Sequence, residues 1–227
     1  MASNLSSKNV VITGGDGALG QAVVAAFRAA GAMCHLPVLG AAVPQPESGI
    51  RQTGNINLTD ESAVSAYYAG LPPLWASVHL AGGYQAKPIA DSTRADLDQQ
   101  IELNLVTAFL CCREAVKALR ASGGGRIVNV AARVVEVPVG GSIAYSVSKA
   151  GVAALTRALS VEVRSDGILV NAVLPSIIDT PANRAAMPKA DPAKWPKPEQ
   201  LAAAILWLAS PENQLTSGTL LPVYGMA

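Results

Sequence analysis

Val10-Val11-Ile12 runs directly into Thr13-Gly14-Gly15-Asp16-Gly17-Ala18-Leu19-Gly20, and Gln21 to Ala30 then places Val23, Val24 and Phe27 on one helical face. The order is strand, glycine turn, helix. Backbone amides at such a helix N-terminus can hold a pyrophosphate, and glycine is needed because side chains would block the approach. Many strand-to-helix turns use glycine for steric reasons alone, so the turn gains meaning only in company with motifs further along the chain.

The pattern recurs along the chain. Ser77 to Leu80 precedes Ala81-Gly82-Gly83, Arg126 to Val130 precedes a loop and a helix opening near Tyr145, and Leu169 to Leu174 precedes Pro175. This alternation predicts parallel strands joined by right-handed helical crossovers, with the ligand where the loops meet at the carboxyl ends of the strands. The 227 residues are 50% hydrophobic and 15% charged, which fits one core and one domain over residues 1–227. Between Pro37 and Gly54 the composition turns to Pro, Gly, Gln and Ser, so an irregular loop is expected where a crossover helix usually lies. Pro175 to Pro198 is also Pro-rich and precedes a helix over Gln200 to Ala209; residues 181–198 read as a substrate lid.

Composition narrows the function classes. A net charge of +1 offers no excess of cations for a phosphate backbone, so no nucleic-acid partner is expected. The longest apolar stretch, Leu201 to Ala209, falls short of the roughly 18 residues of a membrane span. Met1 to Val10 has no secretory pattern, which points to a cytoplasmic protein. Cys34, Cys111 and Cys112, with only His35 and His79, show no zinc-ligand spacing; they read as small core residues, and no metal is expected.

Tyr145 and Lys149 stand at i and i+4 at the start of an apolar helix containing Ala150, Val152, Ala153, Leu155 and Leu159. An ammonium beside a phenol favours the phenolate, which predicts a lowered tyrosine pKa and a general acid or base near neutral pH. By itself this spacing is more often an accidental solvated pair.

The glycine turn, Ala81-Gly82-Gly83, Asn104, Tyr145-x-x-x-Lys149 and Pro175 to Thr180 together resemble the short-chain dehydrogenases/reductases in order and spacing, over nearly the whole chain. The resemblance implies a Rossmann-type α/β fold, a doubly wound parallel sheet with helices on both faces, and an NAD or NADP cofactor. It implies proton transfer by Tyr145, ribose binding and acidification of the tyrosine by Lys149, a relay water held by Asn104, and Thr180 near the nicotinamide carboxamide. It assigns the cofactor to Gly14, Asp16, Gly17, Ala18, Leu19, Gly20, Asn57, Leu58, Ala81, Gly82, Gly83, Tyr145, Lys149, Pro175, Ile178 and Thr180. Within the family, Asp179 to Asp191, Trp195 and Ser217-Gly218-Thr219-Leu220 resemble the dihydropteridine reductases, while Asn104 to Lys117 resembles general bacterial members.

The departures carry as much information. Thirteen residues before Tyr145 stands Ala132, where most members of the family have a serine that donates to the substrate carbonyl. Losing one such donor commonly costs about two to three decades in rate. The resemblance to dihydropteridine reductases, which also have alanine there, implies a conjugated or quinonoid acceptor that needs no serine. Ser142 or Arg133 could supply another donor, and Tyr84 is a further candidate substrate contact. Val38 and Leu39 stand where an acidic or basic residue usually selects the cofactor, Leu80 precedes Ala81 in place of asparagine, and Ser176 replaces a family glycine. Asn57 replaces an aspartate and can accept from an adenine amino group through its carbonyl. Asp16 would repel a 2′-phosphate, which favours NADH.

Three readings fit these residues: a dihydropteridine-reductase-like NAD(P)H-dependent reductase, a general carbonyl or alcohol oxidoreductase, and an inactive partner subunit that keeps only the fold. Val106 to Ala118 and Ala150 to Val163 are apolar on more than one face, which predicts a homodimer or homotetramer acting on a small-molecule substrate.

Overall fold

The computed structural model describes residues 4–42 and 48–226. Seven strands form its centre: β1 (Asn9–Thr13), β2 (Met33–Pro37), β3 (Ile50–Thr53), β4 (Leu74–His79), β5 (Gly125–Val130), β6 (Ile168–Pro175) and β7 (Leu220–Val223). They lie in one sheet in the order β3-β2-β1-β4-β5-β6-β7, every pair parallel. The winding reverses between β1 and β4, so a crevice opens beyond their carboxyl ends.

Alternation along the strands decides which layer each residue joins, because successive side chains point to opposite faces. Val10 and Ile12 of β1 pack with α1 (Ala18–Ala29) and α7 (Pro198–Ala209), through Val23, Val24, Phe27, Ile205 and Leu208. Val11 faces the other layer, with α2 (Glu61–Ala69) and α4 (Thr107–Ala121). α5 (Ile143–Glu162) completes that layer through Val152 and Ala153 against Ala172 and Leu174 of β6. Each fully buried aliphatic side chain stabilises this two-sided core by roughly 1.5–3 kcal/mol. The chain is a single-domain α/β protein with helices on both faces of its sheet.

The elements read from the sequence are present, with helices and strands that open earlier than the periodicity alone places them. α1 begins at Ala18, inside the glycine motif, because Gly17 takes the extended N-cap conformation. The stretch 37–54 is not wholly irregular: Ile50–Thr53 forms the edge strand β3, paired with β2 from Cys34↔Ile50 to Pro37↔Thr53. Residues 43–47 of that stretch, like 1–3 of the amino-terminal segment, lie outside the described residues. The Pro-rich stretch after β6 contains a short helix, α6 (Pro181–Ala186), started by Thr180 as N-cap with proline in its first turn.

α3 (Arg94–Gln100), opened by a capping box of Thr93 and Asp96, leads into α4 through a π-helical segment, Ile101–Val106. The wider turn carries Asn104 inward, to 1% exposure. The three cysteines are buried and free, as their small apolar character suggests.

A polar chain crosses the core beside the crevice. Tyr68 Oη and Ser77 Oγ are 2.8 Å apart, Ser77 Oγ lies 2.8 Å from His79 Nε2, and His79 Nδ1 lies 2.8 Å from Asn129 Oδ1. The Asn129 amide donates to Thr156 Oγ1 at 2.9 Å. Because Asn129 Oδ1 can only accept, Nδ1 carries the imidazole proton and Nε2 accepts from Ser77. The neutral ring is satisfied on both sides, and burial lowers the His79 pKa to about 4.

Candidate active site

The first part of the site is a glycine-built cleft of about 430 Å³ at the β1/β4 crevice. Gly14 has φ +64°, and a Cβ there would sit 2.9 Å from Ala81 N. A Cβ on Gly20 would lie 2.1 Å from Gly14 O, so the turn closes against its own helix only with glycine at that position. No side chain caps α1, whose first amides therefore face the cleft free of a local partner. Asp16, Gly17, Ala18 and Leu19 line this end; Asn57, Leu58, Ala81 and Gly82 line the other side. A pyrophosphate-linked dinucleotide fits this backbone-lined cradle at a helix N-terminus.

The wall includes residues that the motif did not single out: Pro37, Ile56, Thr59, Leu103 and Thr107. Leu103, inside the π-helical segment, and Thr107, the residue after it, both line the cleft. Val38 and Leu39 also line it, Leu39 at 73% exposure, and Asp16 is the only charged residue of the lining among the described residues. Asn57 does not hold its carbonyl free for an adenine: Oδ1 accepts from Thr59 N at 3.1 Å and Thr59 Oγ1 at 2.9 Å, an Asx turn that ties up the loop.

Beyond Gly82 the strand ends bring together the second group. Lys149, 6% exposed, donates from Nζ to Val130 O at 2.9 Å, and a Cβ on Gly82 would stand 3.4 Å from that nitrogen. Burial lowers the Lys149 pKa to about 8. Its Nζ is 5.9 Å from the Tyr145 ring centroid. The tyrosine pKa is not lowered here. Burial, reinforced by neighbouring Tyr84, raises it to about 12, because desolvation of the phenolate outweighs an ammonium already committed to a carbonyl.

The Asn104 side chain is bonded within the protein. Its Oδ1 accepts from Gly83 N at 3.0 Å, while Nδ2 donates to Gly83 O at 3.0 Å and to Ser148 Oγ at 3.2 Å. These bonds fasten the turn after β4 to α5 within one residue of Lys149. A Cβ on Gly82 would lie 2.5 Å from Asn104 Oδ1, which explains the glycine. Gly83 thus serves the clamp rather than the cleft wall.

The third side comes from the loops after β5 and β6. Ala132, extended and 6% exposed, stands two residues beyond the end of β5 and presents a methyl group. Ser142 is 1% exposed, and its Oγ has no hydrogen-bond partner among the described residues. The Arg133 guanidinium lies 5.5 Å from the Tyr224 ring centroid, and its buried Nε is likewise unpartnered. After β6, Pro175 ends the strand and Ser176 Oγ donates to Tyr224 O at 2.7 Å. Ile178 O accepts from the Asn183 side chain at 2.8 Å. Thr180 Oγ1 accepts from Asn183 N at 3.2 Å, so its oxygen caps α6 while its hydroxyl proton stays available for donation. Asp179 and Arg184 form a two-bonded ion pair at 2.6 and 2.8 Å that braces the same segment.

A doubly wound parallel sheet, a glycine cradle at its switch point and a half-buried tyrosine one helical turn from a buried lysine at the strand ends define a dinucleotide-dependent oxidoreductase. Residues 8–191 match the short chain dehydrogenase family, and the chain belongs to it. It is 30% identical to a cis-4-hydroxycyclohexanecarboxylate dehydrogenase of Sinomonas cyclohexanicum, over 99% of this chain and 98% of that protein. It is 32% identical to a galactitol 2-dehydrogenase of Rhizobium johnstonii, over 96% and 94% of the two chains. A solved short chain dehydrogenase/reductase family protein superimposes with a TM-score of 0.88 at 26% identity, over 98% and 97%. The chain is an NAD(P)-dependent oxidoreductase of this family acting on small molecules. No helix among the described residues is long and apolar enough to cross a membrane.

Proposed function

We propose that this oxidoreductase uses NADH to reduce a conjugated or quinonoid acceptor, as the dihydropteridine reductases do, with Tyr145 as the proton donor. The observation that carries this reading is a methyl group at Ala132, thirteen residues before a tyrosine that stays protonated at neutral pH. An acceptor that spreads its charge over a conjugated ring needs no serine to hold an oxyanion. Bound in the cradle, the nicotinamide supplies the hydride. Gly14, Asp16 to Gly20, Ala81 and Gly82 hold the dinucleotide through backbone close approach, and Asn57 and Leu58 flank it. Lys149 orients the ribose end beside Gly82, with Val130 O fixing its ammonium. Tyr145 Oη donates the proton, and Asn104 keeps Gly83 and α5 in register for that step. Thr180 and Ile178 place the segment 181–198 over the site as a lid.

NADH is preferred because, among the described residues, Asp16 is the only charge on the cleft wall and no cation there awaits a 2′-phosphate. A homodimer or homotetramer forms through α4 and α5, where Phe109 and Val161 remain 51% and 67% exposed; light scattering that returns a monomer removes that reading.

A second reading, a carbonyl or alcohol oxidoreductase, is favoured by one observation: the unpartnered Ser142 hydroxyl is a spare donor three residues before Tyr145. Turnover measured with a quinonoid dihydropterin and with a panel of simple ketones separates the two. Reduction of the dihydropterin that survives Ser142→Ala supports the first; ketone turnover lost on Ser142→Ala overturns it in favour of the second.

A further inference from the structure

A second cavity, about 520 Å³, lies at the opposite end of the sheet, where β1, β4 and β5 begin and the turn into β6 passes. Its wall includes Lys8, Trp75 and Arg126, together with Gly123-Gly124-Gly125, and carries no acidic residue among the described residues. Lys8 Nζ is 4.5 Å and Arg126 Cζ 5.0 Å from the centroid of the Trp75 ring, so two cations share one indole. The indole is itself fixed by donation from Nε1 to Ala209 O at 2.8 Å.

Arg126 is the informative residue. It is 8% exposed, donates to the carbonyls of Gly125 at 3.0 Å and Asn213 at 2.6 Å, and leaves its buried Nε without a partner. Neither it nor Lys8 forms an ion pair among the described residues. A buried guanidinium normally has a carboxylate or phosphate beside it, since an uncompensated charge in a low dielectric is costly. Gly123 lines the cavity with φ +82°, and the space beside its Cα is open, because a Cβ there would meet nothing within 4 Å. Two cations on one ring, with no anion beside them among the described residues, favour the entry of an external anion.

We propose that this cavity is a binding site for a small anion bearing a phosphate or carboxylate group, held between Lys8 and Arg126 at the amino-terminal edge of the sheet. It is separate from the cofactor cradle, which lies beyond the other ends of the same strands. The site reads charge at Lys8 and shape at the glycine turn, and Trp75 reports its occupancy.

The test monitors the Trp75 indole N–H resonance, assigned with Trp75→Phe, while inorganic phosphate or succinate is added to the full-length protein. A saturable shift is expected with one or both probes. Phosphate alone identifies a phosphate ligand, succinate alone a carboxylate, and both a general anion site. Lys8→Glu, at a half-buried surface position, is expected to weaken that binding by about tenfold or more while leaving the melting temperature and NADH titration unchanged. Arg126→Gln is expected to abolish the shift if the variant melts as the parent does. A Trp75 resonance that stays still or drifts linearly without saturation overturns the proposal, as does saturable binding unaffected by Lys8→Glu.

Discussion

The rings of Tyr84 and Tyr145 meet edge to face, with centroids 4.9 Å apart and planes at 84°. Tyr84 is 64% exposed and Tyr145 is not, so the outer ring shields the inner phenol from water. Tyr84→Ala is therefore expected to bring the Tyr145 pKa down from about 12 toward the ordinary tyrosine value. Ultraviolet titration of the variant, with Tyr145→Phe subtracted, reads that shift directly. The lost ring contact costs about 1 kcal/mol of stability in thermal unfolding.

Tyr145→Phe removes the proposed proton donor and little else. Its ring contact with Tyr84 survives, and Lys149 keeps its bond to Val130 O. Steady-state kinetics are expected to show kcat reduced about 10²- to 10⁴-fold. NADH affinity by calorimetry should stay within about threefold of the parent. An unchanged kcat means that the proton comes from another group.

Gly20→Ala tests the cradle. An added methyl meets Gly14 O at 2.1 Å and Gly15 Cα at 2.6 Å, all backbone, so the glycine turn must open to admit it. Cofactor affinity is expected to fall by more than about tenfold in a fluorescence titration, the equivalent of roughly 1.4 kcal/mol. A control at Gly140, where a Cβ meets nothing within 4 Å, should bind as the parent does.

Asn104→Ala cuts the clamp between Gly83 and Ser148 and leaves a buried gap. Loss of buried hydrogen bonds of this kind costs about 1–3 kcal/mol in denaturant unfolding. A positioning role also predicts a kcat lowered more than KM is raised, and partial rescue by Asn104→Asp is not expected, because a carboxylate cannot donate to Gly83 O.

Acid stability should depend on His79. Its folded pKa of about 4 lies below the unfolded value near 6.5, so the unfolded chain binds the proton first as pH falls. Stability is fully present above about pH 6.5 and is lost as pH drops toward 4, by roughly 3 kcal/mol. His35, lowered chiefly by burial, acts in the same direction. Urea unfolding from pH 7 to 4 measures the slope, and His79→Asn should flatten it. Lys149 gives the opposite flank: its folded pKa of about 8 makes stability rise with pH from there to about 10.5, a rise absent in Lys149→Met.

The local code of the chain determined the alternation of strand and helix, the glycine turn and the pairing of Tyr145 with Lys149 one helical turn apart. These are near-neighbour properties: β-branched runs, a 3.6-residue apolar period and glycine where a side chain has no room. The parallel order of the sheet came from the same alternation, because short connections and right-handed crossovers leave few other arrangements. Tertiary packing decided what those residues do to each other. The Lys149 ammonium turns to Val130 O, so burial and not the lysine governs Tyr145, and the expected acidic phenol is a protonated one. Asn104 reaches Gly83 only because a π-helical segment rotates it inward, and Ile50–Thr53 became a strand only because the edge of β2 was open to pair it. Local patterns set which backbone conformations are available, whereas desolvation and hydrogen-bond pairing depend on groups far apart in sequence that meet only in the folded core.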